Sequence, residues 1–350
     1  MRLPAELCCP GHRTPLAADD GTPEITLATR FLSCRLGCQI PVIAGIPRFV
    51  SSDSYAASFG KQWKAFRRTQ LDSFTGVAIS RDRLTRCLGG SLDAVLDKAV
   101  LEVGCGAGRF TELLLSSGAR VFASDLSSAV EANYDNCHGA PGYFVCQADL
   151  HALPVHPGSF DVVVCLGVIQ HTPEPEKTVA ALCSFVKPDG LLVIDHYRYG
   201  PEDMTPIRQR IRRFLVRRSP RFSLGYVRFV VALLWPVHRL LWNFRCHSPV
   251  AAARRKWLAI SPVLDYHDYY SQLGPRLLYA WAALDTHDAL TDRYKHKRTV
   301  EQIRKCLQGL GMEEIEAWYG GNGVEARARN PLANADSNER TNQSDLIETC

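Results

Sequence analysis

The chain has 350 residues, with 41 basic and 36 acidic side chains, 46% apolar residues and 13 cysteines. This composition excludes a disordered, collagenous or membrane-embedded chain, and the length suffices for one large domain or two to three smaller ones, each with a core. The net charge of +5 is unevenly spread, because residues 201–260 hold 13 of the Lys/Arg and only two of the acids, leaving the remainder weakly acidic.

Residues 1–50 are short apolar runs broken by Cys, Gly and Pro, and read as a small module of strands and turns. Within it, Cys9-Pro-Gly-His12 and Cys34-Arg-Leu-Gly-Cys38 form two ligand pairs. Paired thiolates and an imidazole on tight turns suit a tetrahedral structural zinc site on Cys9, His12, Cys34 and Cys38, and a segment so poor in large side chains needs such a staple. Cys8 is the alternative to Cys9, and ordinary buried thiols are the alternative to a metal. The N-terminus has no apolar run of signal-peptide length, and most other cysteines stand singly in apolar segments as reduced thiols do, so a cytoplasmic location is expected.

Residues 51–98 form a helical extension in which Phe59, Trp63 and Phe66 share one helix face. From Ala99 to residue 200 the pattern becomes regular. Apolar runs Val100–Val103, Arg120–Ala123, Tyr143–Cys146, Phe160–Leu166 and Leu191–Ile194 alternate with helical stretches, which calls for βαβ units and a parallel sheet covered on both faces. The fold class is therefore α/β and doubly wound. At residue 201 the alternation stops, and residues 201–298 are a basic and aromatic helical insertion. Residues 299–329, a helix and two strand-like runs, complete the sheet. The stretch 330–350 is polar and aperiodic and reads as a disordered tail. The longest charge-free apolar stretch, Phe229–Val237, has nine residues, against the ~18 needed to cross a bilayer, so no transmembrane helix is predicted.

The cofactor signal lies at Leu101-Glu-Val-Gly-Cys-Gly-Ala-Gly-Arg-Phe110, a strand entering a glycine-rich turn and then a helix. Glycines there permit positive φ and let a ligand approach the backbone, and ligands of open α/β sheets bind outside the carboxyl ends of the strands. Gly104, Gly106 and Gly108 are spaced G-x-G-x-G instead of the dinucleotide G-x-G-x-x-G. An acid ending the second run, Asp125, fits either cofactor class.

Taken with Ser124-Asp-Leu-Ser127, Gln147-Ala-Asp-Leu150, Phe160-Asp-Val-Val-Val-Cys-Leu-Gly-Val-Ile-Gln-His171 and Lys187-Pro-Asp-Gly190, this loop resembles the class I S-adenosylmethionine-dependent methyltransferases, of the type 11 kind, over residues 98–197. The resemblance implies a Rossmann-like seven-stranded sheet. It also implies that the Gly104–Gly108 backbone meets the methionine part of S-adenosylmethionine, that Glu102 orients its ammonium, and that the Leu166 backbone meets the same group. Asp125 would hold the ribose hydroxyls, Asp149 the adenine amine, and Leu150 would lie beside the ring. The competing reading of Asp149 is a turn or helix cap. The first fifty residues resemble the zinc ribbon that precedes some bacterial methyltransferase domains, down to Gly45-Ile-Pro47. His12 replaces a cysteine of that pattern, and Cys34 and Cys38 are separated by three residues instead of two.

Methyl transfer is an in-line displacement that requires alignment and, for a hydroxyl or protonated amine, removal of a proton. His171 is the candidate base, since imidazole titrates near ~6.5, and its competing role is to shape the loop. His196 and Tyr197 are weaker candidates expected on the same rim. Tyr55, Trp63 and Gln70 are candidate acceptor-site residues in segments that resemble those preceding small-molecule and glycan-modifying methyltransferases.

The expected acceptor is an O or N atom of a small molecule, glycan or lipid-linked compound. The basic insertion leaves three partners open, namely a phosphate-bearing acceptor under a lid, an anionic membrane surface that would place the protein at its inner face, and RNA, and the alternative to all three is a solvated helix face around a buried hairpin. Ribosomal-RNA methylation is the runner-up, although the Asn/Asp-Pro-Pro-aromatic motif of many base-amine methylating enzymes is absent. A non-catalytic cofactor-binding module is the third reading.

Overall fold

The structure is a computed structural model that describes residues 1–50, 54–200 and 205–332. The first residues of the insertion and the polar stretch after residue 332, read from sequence as a disordered tail, lie outside the described residues.

The N-terminal module is a four-stranded antiparallel meander: β1 (Ala17–Ala18), β2 (Phe31–Ser33), β3 (Gln39–Ile43) and β4 (Ile46–Pro47). Three helices follow, α1 (Ala57–Ala65), α2 (Asp72–Thr75) and α3 (Ile79–Cys87). The alternating region gives β5 (Ala99–Val103), α4 (Thr111–Ser116), β6 (Arg120–Asp125), α5 (Val130–Cys137), β7 (Tyr143–Gln147), β8 (Phe160–Cys165), α6 (Pro175–Phe185) and β9 (Val186–His196). The insertion is α7 (Pro206–Leu215), α8 (Pro220–Asn243), α9 (Ser248–Ile260) and α10 (Pro275–Thr291). Finally α11 (Val300–Gly309), opened by a Thr299–Gln302 capping box, leads to β10 (Glu313–Gly320) and β11 (Gly323–Arg329).

The main sheet has seven strands in the order β10-β11-β9-β8-β5-β6-β7. Strands β5 to β9 pair in parallel, and β11 runs antiparallel to both neighbours. Every residue of β5 and β7 is buried, the continuous apolar burial expected of strands covered on both faces. Chain order reverses between β5 and β8, so a crevice opens at their carboxyl ends.

The N-terminal module is fused to this sheet. Phe49 N donates to Gln147 O, Cys8 N to Pro154 O, and Arg13 Nη1 to Val155 O at 2.7 Å. Its buried residues Leu7, Cys9, Leu32 and Cys34 share one core with Phe122, Phe144 and Phe160.

The insertion has a separate core of Leu215, Val227, Val231, Trp235, Val263, Leu278 and Trp281. By length and composition α8 could cross a membrane, at 24 residues and mean hydropathy 1.3 over its best window, which departs from the sequence expectation. The reason is that the expectation counted an unbroken charge-free run, whereas Arg228 and Arg239 interrupt an otherwise apolar helix.

Candidate functional site

The glycine turn closes over the ends of β5 and β6, with Gly104 N and Cys105 N donating to Ser124 O. Gly104 has φ +73° and a Cβ there would collide with Val168; Gly106 has φ +51°, and its Cβ would meet the Trp63 indole at 3.2 Å. Both positions therefore favour glycine for conformation, and Gly104 requires it for space as well. Val168, from the loop after β8, and Trp63, from α1, form the roof of the turn.

Glu102 is buried next to the end of β5 and accepts a 2.6 Å hydrogen bond from Thr111 Oγ1, which also accepts from Asn133 Nδ2. Burial pushes its carboxyl up to about 8, helped by the neighbouring Asp125 and opposed by Thr111. Asp125 ends β6, where its carboxylate accepts from Gly106 N at 3.0 Å and from Ser127 N and Oγ at 2.8 and 2.7 Å. Asp149 caps a short 3-10 turn, accepting from His151 N at 2.9 Å, so the capping role is realised. Leu150 and Leu166 are buried, Leu150 in that turn and Leu166 directly after β8. Tyr55 packs edge-on against Tyr294, and burial together with the charges of Asp149 and Asp125 raises its hydroxyl to about 12.

His171 lies in a 3-10 turn after β8, almost fully buried. Its Nδ1 is 3.2 Å from Tyr294 O and 3.6 Å from Asp292 Oδ2, and its Nε2 is 4.0 Å from Asp288 Oδ2. The rings of Phe59 and Tyr197 flank it at 5.2 Å. Tyr197 Oη donates to Asp288, and Arg212 of α7 holds Asp292 at 2.6 Å. Burial raises the Asp288 carboxyl.

His196 is not on this rim, contrary to the sequence expectation. It precedes Tyr197 in an extended segment, where successive side chains point to opposite faces. His196 instead faces Pro175, Glu176, Val179 and Arg298, and burial lowers it to about 4.

Sequence reasoning missed the acids of α10 and Arg109. Asp285, Asp288 and Asp292 recur at i, i+3 and i+7, one helix face, which is the signal that could have found them. Half-buried Arg109 follows the glycine turn and donates to Gln70 Oε1 at 3.0 Å, while Gln70 Nε2 donates to Asp285 at 3.2 Å. Burial lowers Arg109 to about 10 and raises Asp285 to about 6. Gln70 thus ties the glycine turn to the insertion.

At the other end of the chain, the ligand atoms of Cys9, His12, Cys34 and Cys38 all lie within 4.8 Å of one another. His12 Nδ1 is 3.8 Å from Cys9 Sγ and 3.4 Å from the Sγ atoms of Cys34 and Cys38. A tetrahedral zinc with bonds of ~2.3 Å to sulfur and ~2.0 Å to nitrogen requires S–N edges of about 3.5 Å, so the four residues fit that metal. Cys8 points instead at Arg13.

A family model for a methyltransferase domain matches residues 101–194. The ubiquinone biosynthesis O-methyltransferase of Thiobacillus denitrificans is 37% identical over 97 residues, 27% of this chain and 41% of that protein. The Bordetella bronchiseptica protein of the same name is 32% identical over 139 residues, 38% of this chain and 56% of that protein. The match thus spans about half the length of these curated relatives. An O-methyltransferase family protein from Burkholderia thailandensis is a structural neighbour with 12% identity and a TM-score of 0.41, covering 75% of this chain and 60% of that one. The family model thus shows a methyltransferase domain over residues 101–194, and the sheet order, the glycine turn and the acids on the strand ends are those expected of its class I S-adenosylmethionine-dependent type.

Proposed function

We propose that the protein transfers a methyl group from S-adenosylmethionine to an oxygen of a hydroxyl-bearing acceptor, with His171 as the base. The observation that carries this reading is the buried imidazole after the carboxyl end of β8, held between the carboxylates of Asp288 in α10 and Asp292 just after it. The names of the relatives support oxygen as the acceptor atom.

Bound S-adenosylmethionine supplies a methyl group on a sulfonium, already an activated electrophile. Glu102, the Gly104–Gly108 backbone and Leu166 would hold its methionine end, Asp125 the ribose, and Asp149 with Leu150 the adenine. His171 Nδ1 donates to Tyr294 O in the tautomer that leaves Nε2 as the acceptor. In that transfer His171 Nε2 would take the proton of the acceptor hydroxyl. Asp288 and Asp292 stabilise the resulting imidazolium. Phe59, Tyr197 and Tyr294 surround this point with apolar surface, which suits a small-molecule or lipid-linked acceptor. Cys9, His12, Cys34 and Cys38 would hold a structural zinc, away from the reacting atoms.

The test incubates methyl-labelled cofactor with cell extract and separates protein, RNA, lipid and small molecules. Label is expected in the lipid or small-molecule fraction. His171→Ala is expected to lower transfer about 100-fold or more while leaving calorimetric cofactor affinity unchanged. Unchanged transfer by His171→Ala removes the base, and label confined to RNA overturns the acceptor assignment.

A further inference from the structure

We infer that the outward face of the α7–α8 hairpin is a docking surface for a bilayer containing anionic phospholipid. It rests on residues other than those of the methyl-transfer reading.

Helix α8 has two apolar faces. Ser223, Val227, Val231, Trp235 and His238 point inward and are buried. On the opposite side Phe222, Phe229, Leu233, Val237, Leu240 and Phe244 form a stripe along the whole helix and its end, with Phe229 65% and Leu233 62% exposed. Among the described residues, ten of the nineteen exposed large apolar side chains fall within residues 207–260. A continuous exposed patch of this kind marks an interaction site.

The charges around the stripe indicate what covers it. Residues 205–260 contain thirteen Lys/Arg and no Asp or Glu. Arg208, Arg212 and Arg254 turn inward to carbonyls or carboxylates. Arg221, Arg228 and Arg239 are exposed, and among the described residues none of them is ion-paired. Spaced by seven and eleven residues, close to two and three helical turns, they form a file along one flank of the stripe. Arg210 and Arg213 of α7, with Arg217 and Arg218 in the turn after it, continue the exposed basic surface.

An apolar stripe flanked by arginines matches an interfacial helix, whose apolar side chains enter the acyl boundary while guanidinium groups meet lipid phosphates. RNA would use the arginines and leave the stripe uncovered. A second copy packed face to face would cover the stripe and bring like charges together. The helix lies along the bilayer instead of crossing it, because its inner face is committed. His238 Nδ1 is 2.7 Å from Asp265 Oδ2 and its Nε2 is 2.9 Å from Ser261 Oγ, and crossing would carry these polar groups into hydrocarbon. Helix α8 packs against α1 and α10, the helices beside His171, and Arg212 of α7 grips Asp292, so docking would hold the acceptor site next to the headgroups.

The full chain is tested by flotation with vesicles of phosphatidylcholine alone and of phosphatidylcholine mixed with phosphatidylglycerol. Binding to the mixed vesicles is expected to be at least about tenfold tighter and to weaken with salt. Phe229→Ser with Leu233→Ser, and separately Arg221→Gln with Arg228→Gln and Arg239→Gln, are each expected to weaken it about tenfold or more, with melting temperature unchanged because all five side chains are exposed. Wild-type protein that floats with neither vesicle overturns the proposal, as does equal binding by both variants. A dimer abolished by the serine variant, or binding to RNA, overturns it when vesicle binding is absent.

Discussion

In the sheet domain, β5 and β7 are buried throughout, and the acids Glu102 and Asp125 lie at the carboxyl ends of β5 and β6. In the insertion, a carboxylate with two imidazoles lies at the centre and an apolar stripe faces outward. Asp265 accepts contacts from His238 Nδ1 at 2.7 Å and His267 Nδ1 at 2.6 Å, and the His267 ring stacks against both Trp235 and Trp242. The sheet domain therefore places its polar groups where a ligand meets them. The insertion uses buried polar groups to fix the packing of its own helices and leaves apolar surface for an outside partner. Acids such as Asp288 and Asp292 belong to both regions, since they leave the insertion's α10 to meet His171 of the sheet domain.

The difference can be broken first by removing the metal that Cys9, His12, Cys34 and Cys38 would hold. The ribbon shares its core with the β7 side of the sheet and holds the loop after Asp149 through Cys8 and Arg13. A chelator, or Cys34→Ala, is expected to destabilise the sheet side by several kcal/mol, since structural zinc contributes up to about 10 kcal/mol or more in small modules. Cofactor affinity, followed by calorimetry, is expected to fall about tenfold as the 149–155 loop loosens. Tryptophan fluorescence of the insertion is expected to stay native. Native mass spectrometry that finds no metal, or unchanged cofactor affinity after chelation, sinks this expectation.

The insertion is broken instead by Asp265→Ala, which leaves two buried imidazoles without their acceptor. Removing one partner of a buried charged pair costs about 3–5 kcal/mol, and denaturant unfolding followed by tryptophan fluorescence should show it. Cofactor affinity is expected to stay within about twofold, or ~0.4 kcal/mol. Burial would raise the Asp265 carboxyl, but hydrogen bonds from His238 and His267 outweigh it and hold the group well below the usual carboxylate range. The stability it contributes is present above its unfolded pKa of ~3.9 and is lost as the pH falls below that value.

The same comparison shows how much of the molecule was legible in its sequence. Strands β5 to β8 read directly, because a strand buried on both faces is a continuous apolar run, and Gly104 and Asp125 read from their spacing around it. Periodicity could not say which face of α8 is inside, because both Val227 and Phe229 are apolar. The choice is made by long-range partners, α10 and Asp265, which no local pattern contains. His196 was placed on the wrong side because the strand end was read as a rim, without the alternation that sends neighbouring side chains to opposite faces. Asp288 and Asp292 were overlooked because they lie more than a hundred residues from His171 and meet it only when the insertion folds back over the strand ends.

The smallest effect expected is the one that separates the two buried acids by the sign of their pH dependence. Burial raises Glu102 to about 8, so it is protonated at neutral pH in the ligand-free chain. A carboxyl whose folded pKa lies above its unfolded value of ~4.3 contributes stability in full below that value, and loses it as the pH rises towards 8. Glu102→Gln is therefore expected to be more stable than the wild type at about pH 8, with the gap closing towards about pH 5. Denaturant midpoints across that range measure it, and parallel curves for the two proteins would refute the assignment. A cationic ammonium brought next to Glu102 favours the carboxylate, so cofactor uptake at neutral pH should release up to about one proton from the wild type and none from the glutamine variant. Calorimetry in two buffers of different ionisation enthalpy reads that proton directly. Asp265, already ionised above its unfolded pKa and remote from the cofactor acids, should give no such signal, and this leaves Glu102 as the acid whose protonation reports ligand binding.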